Sequence, residues 1–192
     1  LHWHIGIFWW LLIKTYNKKI ATCEAQRISS YDFIKKECKE EITIKDARQM
    51  IKEILLSIGY AGTTWNKLYH KSIFSSIRFE DRIINDVAVT YKTYAEAGEI
   101  IFSNQYKYYY FKHADSILGQ SKKERQIGFY KASIERYDYI KRIYPDFSYN
   151  ELGLLLIICN LYYNDYNKIA DFYKEEKIQY LVLYNLFKEL VN

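Results

Sequence analysis

This sequence has little of what interrupts a backbone, since its 192 residues include one proline, Pro145, and seven glycines. Long stretches without either residue favour helices. Cysteine is scarce as well: the three cysteines stand far apart, and none belongs to a C-x-x-C pair. The sequence therefore predicts neither a disulfide framework nor a zinc site, and a reducing compartment, the cytoplasm, is favoured.

Groups that perform catalysis are sparse. The sequence has no glycine-rich phosphate loop and no nucleophile motif. His113 and Asp115 are two positions apart, so on a helix they would face away from each other. The acidic pairs Glu40-Glu41 and Glu175-Glu176 are adjacent and most simply solvated. We expect no catalytic residues, no metal ligands and no cofactor, and the pattern favours a protein that is not an enzyme.

The sequence is rich in aromatic and hydrophobic residues. Twenty-one tyrosines accompany a hydrophobic fraction of 49% and a charged fraction of 27%, which suit a folded protein with one sizeable core. The net charge of +5 is carried by lysines and arginines interleaved with acids. That pattern is typical of solvated helix faces rather than of a stripe that binds phosphates.

The N-terminal region is apolar over the nine residues Ile5 to Ile13. A membrane span needs about 20 such residues. Because the chain opens with Leu1 and its one methionine is Met50, we expect that its natural start is missing. Two readings follow. The run is either the truncated end of a membrane or signal segment or a buried terminal helix. In the first reading Trp9 and Trp10 form an aromatic belt, and the basic flank consists of Lys14, Lys18 and Lys19.

We accordingly separate residues 1–26, an apolar N-terminal segment, from a single all-α domain at 27–192. In the first reading of the apolar run, this segment would associate the protein with a membrane. Anchoring at a membrane therefore stays open beside a cytoplasmic location.

Helical spacing dominates the remainder. Thr43 and Asp46 approximate a capping box, which predicts a helix from Ile44 to Ile58 that ends at Gly59. A turn at Tyr60 to Gly62 precedes a second helix that Thr63 or Thr64 caps and that runs to Ile77. One long helix is predicted within Phe79 to Leu118, and another from Ile127 to Tyr144, before Pro145. Three short helices follow.

Two segments near the C-terminus carry a motif. The first is Gly128-Phe129-Tyr130-Lys131-Ala132-Ser133 with Tyr137, Ile140 and Tyr144-Pro145-Asp146, and the second is Asp165-Tyr166-Asn167-Lys168-Ile169-Ala170. The first resembles the second helix of a tetratricopeptide repeat, and the second is similar to the same part of a following repeat. The resemblance covers Ile127 to Glu176. It implies stacked helical hairpins with a concave surface that binds peptides or proteins.

The fold we expect is all-α, with about seven helices in stacked antiparallel hairpins, arranged either as a tetratricopeptide-like solenoid or as an irregular bundle. We predict a non-catalytic module that binds an unidentified protein or peptide through an aromatic groove. Tyrosine is favoured at interfaces for its large area and polar tip. The residues predicted to line the groove are Tyr130, Tyr137, Tyr162 and Tyr166.

The alternative is a helical nucleic-acid-binding protein. The segment from Lys168 to Phe187 has the spacing of a helix-turn-helix. Polar residues at the exposed N-terminal end of a recognition helix contact bases and phosphates. Lys177 and Gln179 occupy that position here, beside two glutamates, so nucleic acid is the less favoured partner.

Overall fold

A mixed β-sheet organises the fold. The computed structural model describes residues 2–28, 39–55, 59–80, 84–111 and 122–146. Its elements are α1 (His2–Tyr16), β1 (Ile20–Ile28), β2 (Ile42–Asp46), α2 (Ala47–Leu55), β3 (Lys67–Tyr69), a 3₁₀ helix (Lys71–Ser75), α3 (Asn85–Ala97), β4 (Glu99–Phe111) and α4 (Lys122–Ile143). The expected all-α fold of about seven helices is wrong, because the described residues form four α-helices and a four-stranded sheet.

The sheet has the order β2-β4-β1-β3. Its central strands β1 and β4 run parallel, whereas β2 is antiparallel to β4 and β3 is antiparallel to β1. Both central strands are rich in residues that favour strands, Ile and Thr in β1 and Ile, Phe and Tyr in β4. Ile20, Ala21, Ile100 and Ile101 have no exposed surface, so the start of this pair is the centre of the core.

The pairing of β1 with β4 is irregular. Its register shifts between Cys23 and Ala25, where β4 moves from Ser103 to Tyr108. Strict alternation would put Ile101 and Tyr108 on opposite faces of the sheet, because they are seven residues apart. Both nevertheless pack in one apolar cluster. The bulges therefore turn the tyrosine-rich end of β4 towards the face that carries Ile101.

Helices cover both faces of this sheet. On one face, Trp9 and Ile13 of α1 pack against Ala21, Cys23 and Ile101. Thr22 and Phe102 alternate to the other face, where they border a cavity with Met50 and Glu53 of α2. The first part of each central strand is thus covered on both sides, which explains why Ile20-Ala21-Thr22-Cys23 and Ile100-Ile101-Phe102 carry no charge.

Gly98 ends the long helix predicted within Phe79 to Leu118. Its φ of +74° lies in the left-handed region, and its N–H donates to the carbonyl of Tyr94 at 2.9 Å. This is a helix C-terminus of the type that glycine favours. The chain is helical to Ala97 and then continues as β4. The helix prediction is therefore wrong over 99–111, where residues that favour strands continue the apolar pattern beyond the helix.

Two further helix predictions need correction. Ile44 belongs to β2, and the helix begins at Ala47 because Asp46 is its cap, with a side-chain oxygen that accepts from the N–H of Gln49 at 2.7 Å. The helix predicted between Thr63 and Ile77 is replaced by β3 and a 3₁₀ helix. His70 caps that 3₁₀ helix by accepting from the N–H of Ser72.

The chain divides into two compact units, and the sheet with its flanking helices belongs to the first. The second includes residues 84–88 and α4. The helix predicted from Ile127 to Tyr144 is confirmed, since α4 runs to Ile143 just before Pro145. Gly128 lies within α4, where an added Cβ would stand 3.3 Å from the Ile84 side chain. Of the α4 side chains that the structure describes, Ala132, Ser133, Arg136 and Ile140 are buried.

The N-terminal apolar run forms the middle of α1. Trp9 and Ile13 are buried, whereas Trp10 is exposed over 53% of its surface. None of the described helices is both long enough and apolar enough to cross a lipid bilayer.

Two glycines allow a test of what the conformation of Gly98 contributes. An added Cβ meets no atom within 4 Å at Gly98 or at Gly6, but Gly6 lies in α1 and Gly98 has positive φ. We expect Gly98→Ala to lower the free energy of unfolding by about 1–2 kcal/mol, because a Cβ is disfavoured in the left-handed region. Gly6→Ala should raise it by up to about 1 kcal/mol. Urea unfolding of both variants measures this, and equal effects would contradict the role of Gly98.

Candidate functional site

A buried ammonium group organises the loop at 59–66. Lys67 begins β3 and is 6% exposed. Its Nζ donates to the carbonyl oxygen of Tyr60 at 3.1 Å, to Oδ1 of Asn66 at 2.7 Å and to the carbonyl oxygen of Thr63. A buried charge is tolerated when it is fully hydrogen-bonded. The loop carbonyls therefore replace the water that the ammonium loses.

Helix α3 holds the same loop from another side. The hydroxyl of Tyr94 donates to the carbonyl of Ala61 at 2.7 Å, and Oγ1 of Thr90 donates to the carbonyl of Gly62 at 3.1 Å. Burial raises the pKa of Tyr94 well above its ordinary value, so this hydroxyl stays protonated and able to donate. The loop is thus fixed by side chains rather than by a regular backbone ladder.

Asn66 joins the loop to the sheet. Its Nδ2 donates to the carbonyl of Cys23 at 2.7 Å, and its Oδ1 accepts from Oγ1 of Thr63 at 2.8 Å. Asn66 is 2% exposed, so these bonds are shielded from water. The two ring-bearing residues of this loop, Tyr60 and Trp65, are consequently held in fixed positions beside β1.

Four aromatic rings meet at this loop and the end of β4. The Trp65 ring lies 4.4 Å from Tyr108, 5.2 Å from Tyr60 and 5.3 Å from Tyr110, measured between ring centroids. The Trp65 and Tyr110 planes differ by 24°, which is a stacked arrangement. Such pairs stabilise each other by about 0.5–1.5 kcal/mol beyond the area that they bury. We call these four residues the Trp65 cluster.

A cation borders the Trp65 cluster. The guanidinium of Arg27, an exposed residue of β1, lies 5.7 Å from the Tyr110 ring centroid. Each of these four residues is half-buried, so none of them is sealed inside the core. Rigid aromatic rings beside an arginine are the residue types that carry most binding energy at protein interfaces. The arrangement can bind apolar, aromatic or anionic groups.

A small cavity lies between β1, α2 and the loop at 59–66. It has a volume of about 40 Å³, and Glu24, Glu53 and Tyr60 are among the residues that border it. Nζ of Lys45 binds both carboxylate oxygens of Glu53, at 2.8 and 3.0 Å, and lies 4.1 Å from the centroid of the Phe102 ring. The volume suits a few waters, whereas cofactor pockets measure several hundred Å³. Among the described residues, no three His, Cys, Asp or Glu side chains are placed to hold a metal ion.

Cys23 is not an activated nucleophile. It is 1% exposed, and burial raises the pKa of its thiol from 9.0 to about 12. Because the thiolate is the reactive form, the native side chain is inert near neutral pH. Its place in the cluster with Trp9 and Ile13 is that of a small buried apolar side chain.

The residues predicted to bind a partner are not in this site. Tyr130 and Tyr137 are on α4, in the second compact unit. The other two groove tyrosines, Tyr162 and Tyr166, lie outside the described residues. The same is true of the nucleic-acid candidates Lys177 and Gln179, and of His113 and Asp115. The predicted groove, two of whose four tyrosines lie outside the described residues, stays a prediction, and the Trp65 cluster is a different surface.

The sequence does not predict the Trp65 cluster, because its spacing favours a helix where the structure has β4. The run from Tyr106 to Tyr110 cannot bury every ring in one core, and that signal fits a strand with two differently covered faces. The turn at Tyr60 to Gly62 was predicted, and the structure confirms it. Nothing in the spacing of Tyr60, Trp65 and Tyr108 indicates that they meet, because their contact depends on how β3 and β4 flank β1.

The loop network predicts that Lys67 is needed for stability. Lys67→Met keeps much of the side-chain volume but leaves the carbonyls of Tyr60 and Thr63 without their ammonium donor. We expect the free energy of unfolding to fall by about 2–4 kcal/mol, with a weaker near-ultraviolet circular dichroism signal from the aromatic rings. Lys71→Met is the control, since Lys71 is exposed and should change stability by less than about 0.5 kcal/mol. Equal urea midpoints for the two variants would refute this role.

The raised pKa of the Cys23 thiol predicts that the free energy of unfolding falls at alkaline pH. Between pH 9.0 and about 12, the unfolded thiol releases its proton while the folded thiol keeps it. The folded state then binds more protons than the unfolded state. The contribution of the Cys23 thiol to the free energy of unfolding is therefore complete below the unfolded pKa, and it falls as pH rises by up to about 1.4 kcal/mol per pH unit. Urea unfolding should therefore show that the free energy of unfolding of the natural chain, minus that of Cys23→Ala, decreases between about pH 8 and about pH 10. A constant difference would contradict the raised pKa.

The chain matches no protein-family model and no curated protein sequence. The resemblance to a tetratricopeptide repeat is wrong. The resemblance placed the turn of a repeat at Gly128, but α4 continues through this position. The glycine there permits close approach of Ile84 instead. Among the described residues, the element that precedes α4 is the strand β4, whereas a repeat hairpin requires a helix.

Proposed function

We propose that this protein is a non-catalytic binding module and that the Trp65 cluster is its contact surface for a protein or peptide. One observation carries the proposal: the Trp65 ring centroid lies 4.4–5.3 Å from the centroids of three tyrosine rings, and all four residues are only half-buried. Rings already fixed by the protein lose little conformational entropy when a partner binds. Most of the free energy gained by burying these rings against a partner therefore contributes to the affinity.

The buried residues that hold the Trp65 cluster in place favour the same conclusion. Lys67, Tyr94 and Asn66 are all buried, and each hydrogen-bonds to the backbone of the loop or of β1. Loops that bind ligands are commonly positioned by a rigid scaffold in this way. Arg27 adds a donor at the margin, where it can pair with a carboxylate or a backbone carbonyl of the partner.

The proposal can be tested with peptides selected from a random displayed library on the immobilised full chain. Their dissociation constants are then measured by fluorescence anisotropy. Tyr110→Ala should weaken binding by about tenfold or more, because loss of an aromatic anchor typically costs about 2 kcal/mol. Arg27→Gln should weaken binding less, and most for acidic peptides.

The chain offers a matched control in its other compact unit. The guanidinium of Arg142 lies 5.4 Å from the Tyr139 ring centroid, a second arginine above a tyrosine. Tyr139→Ala and Arg142→Gln should leave the affinities unchanged. Equal losses at the two pairs, or no loss at Tyr110, would exclude the Trp65 cluster as the contact surface.

The second candidate function is binding of single-stranded nucleic acid, which the stacking of Trp65 on Tyr110 beside Arg27 favours. Bases stack on such rings with little sequence preference, for about 1–3 kcal/mol per base. The same variants can be titrated with a labelled single-stranded oligonucleotide at low and physiological salt. Affinity that falls steeply with salt and is lost in Tyr110→Ala would favour this candidate over the peptide.

A further inference from the structure

The outer face of α1 is strongly apolar. Ile7, Trp10 and Leu11 are 56%, 53% and 49% exposed, and they are the three most exposed large apolar side chains among the described residues. Their spacing of three and four places them on one side of the helix. They form a single patch rather than scattered exposed residues, and such a patch marks a contact with another apolar phase or surface.

The sheet cannot cover this patch. Trp9 and Ile13 on the opposite side of α1 are 5% and 8% exposed and pack against the sheet with Ala21, Cys23 and Ile101. Turning the helix to bury Trp10 would expose Trp9, which is part of the core. The packing of α1 on the sheet therefore fixes Ile7, Trp10 and Leu11 as outward-facing.

The charged side chains of α1 and of the residues that follow it are of one sign. The exposed residue Lys14 follows Trp10 by one turn, and its ammonium lies 5.9 Å from the Trp10 ring centroid. Residues 1–23 contain three lysines and no aspartate or glutamate. Of these three, Lys18 and Lys19 are paired with Glu99 and Glu96, whereas Lys14 borders the apolar patch. Tryptophan and lysine beside aliphatic residues suit the boundary between lipid headgroups and acyl chains.

We propose that the outer face of α1 binds the surface of a phospholipid bilayer. Ile7 and Leu11 enter the upper acyl region, the indole of Trp10 lies at headgroup depth, and Lys14 contacts lipid phosphate. Helices that lie in this plane bury their apolar side by about 5–10 Å. The sheet then rests on the membrane through α1, and the Trp65 cluster is a separate contact surface.

The test uses the full chain and flotation with vesicles of phosphatidylcholine, with and without phosphatidylserine. Ile7→Gln and Leu11→Gln should each lower the partition coefficient about tenfold, because each removes an aliphatic side chain from the bilayer. Lys14→Gln should lower it about fivefold on the anionic vesicles and less on pure phosphatidylcholine. The matched control is Ile44→Gln, which replaces an isoleucine of β2 that is 43% exposed and should leave partition unchanged.

Three results would overturn the proposal. The first is that the natural chain does not float with either vesicle. The second is that Ile7→Gln and Ile44→Gln have the same effect. The third is that sedimentation velocity finds a self-associated chain that Ile7→Gln converts to a monomer, because the patch would then be an interface between two copies. Unfolding curves verify the fold of each variant, and the replaced isoleucines are exposed, so stability should change by less than about 0.5 kcal/mol.

Discussion

The buried ammonium of Lys67 is the interaction on which the described site depends. A charge with 6% exposure is costly unless it is fully bonded, and here two loop carbonyls and the Asn66 side chain supply the bonds. These hydrogen bonds offset the cost of burying the ammonium. Because they need the loop in one conformation, the loop has few alternatives. Tyr94 and Thr90 complete the restraint from α3. This loop carries Tyr60 and Trp65, so the geometry of the aromatic surface follows from the satisfaction of one charge.

The bulges in β4 provide the other half of that surface. By shifting the register between Ser103 and Tyr108, they reverse which residues face α1. Tyr108 then contacts both the apolar cluster beneath α1 and the Trp65 ring. The same face of the sheet therefore connects the packing of α1 to the Trp65 cluster. The two contacts that we propose, an aromatic surface for a peptide and an apolar helix face for lipid, share this scaffold.

Several local features were predictable from sequence because they depend on neighbouring residues. The stop at Pro145, the turn at Tyr60 to Gly62 and the helix before Pro145 belong to this class. Asp46 was recognised as a capping residue, although it is the cap itself rather than the third helical position. The error over 99–111 has a physical reason. Apolar residues at spacings of three and four also satisfy a bulged strand that is buried on both faces, and Gly98 alone separates the helix from that strand.

The sequence by itself determined that the chain is rich in aromatic rings, that nothing in its motifs points to catalysis, and that its N-terminal run is apolar without acidic residues. The tertiary structure decided which of those rings meet, which tryptophan of the pair Trp9 and Trp10 is buried, and where Lys67 finds its acceptors. The reason is that local propensity acts within a few residues. Contacts such as Tyr94 with Ala61 join positions 33 apart, and their partners are selected by the pairing of strands and the packing of helices on the sheet.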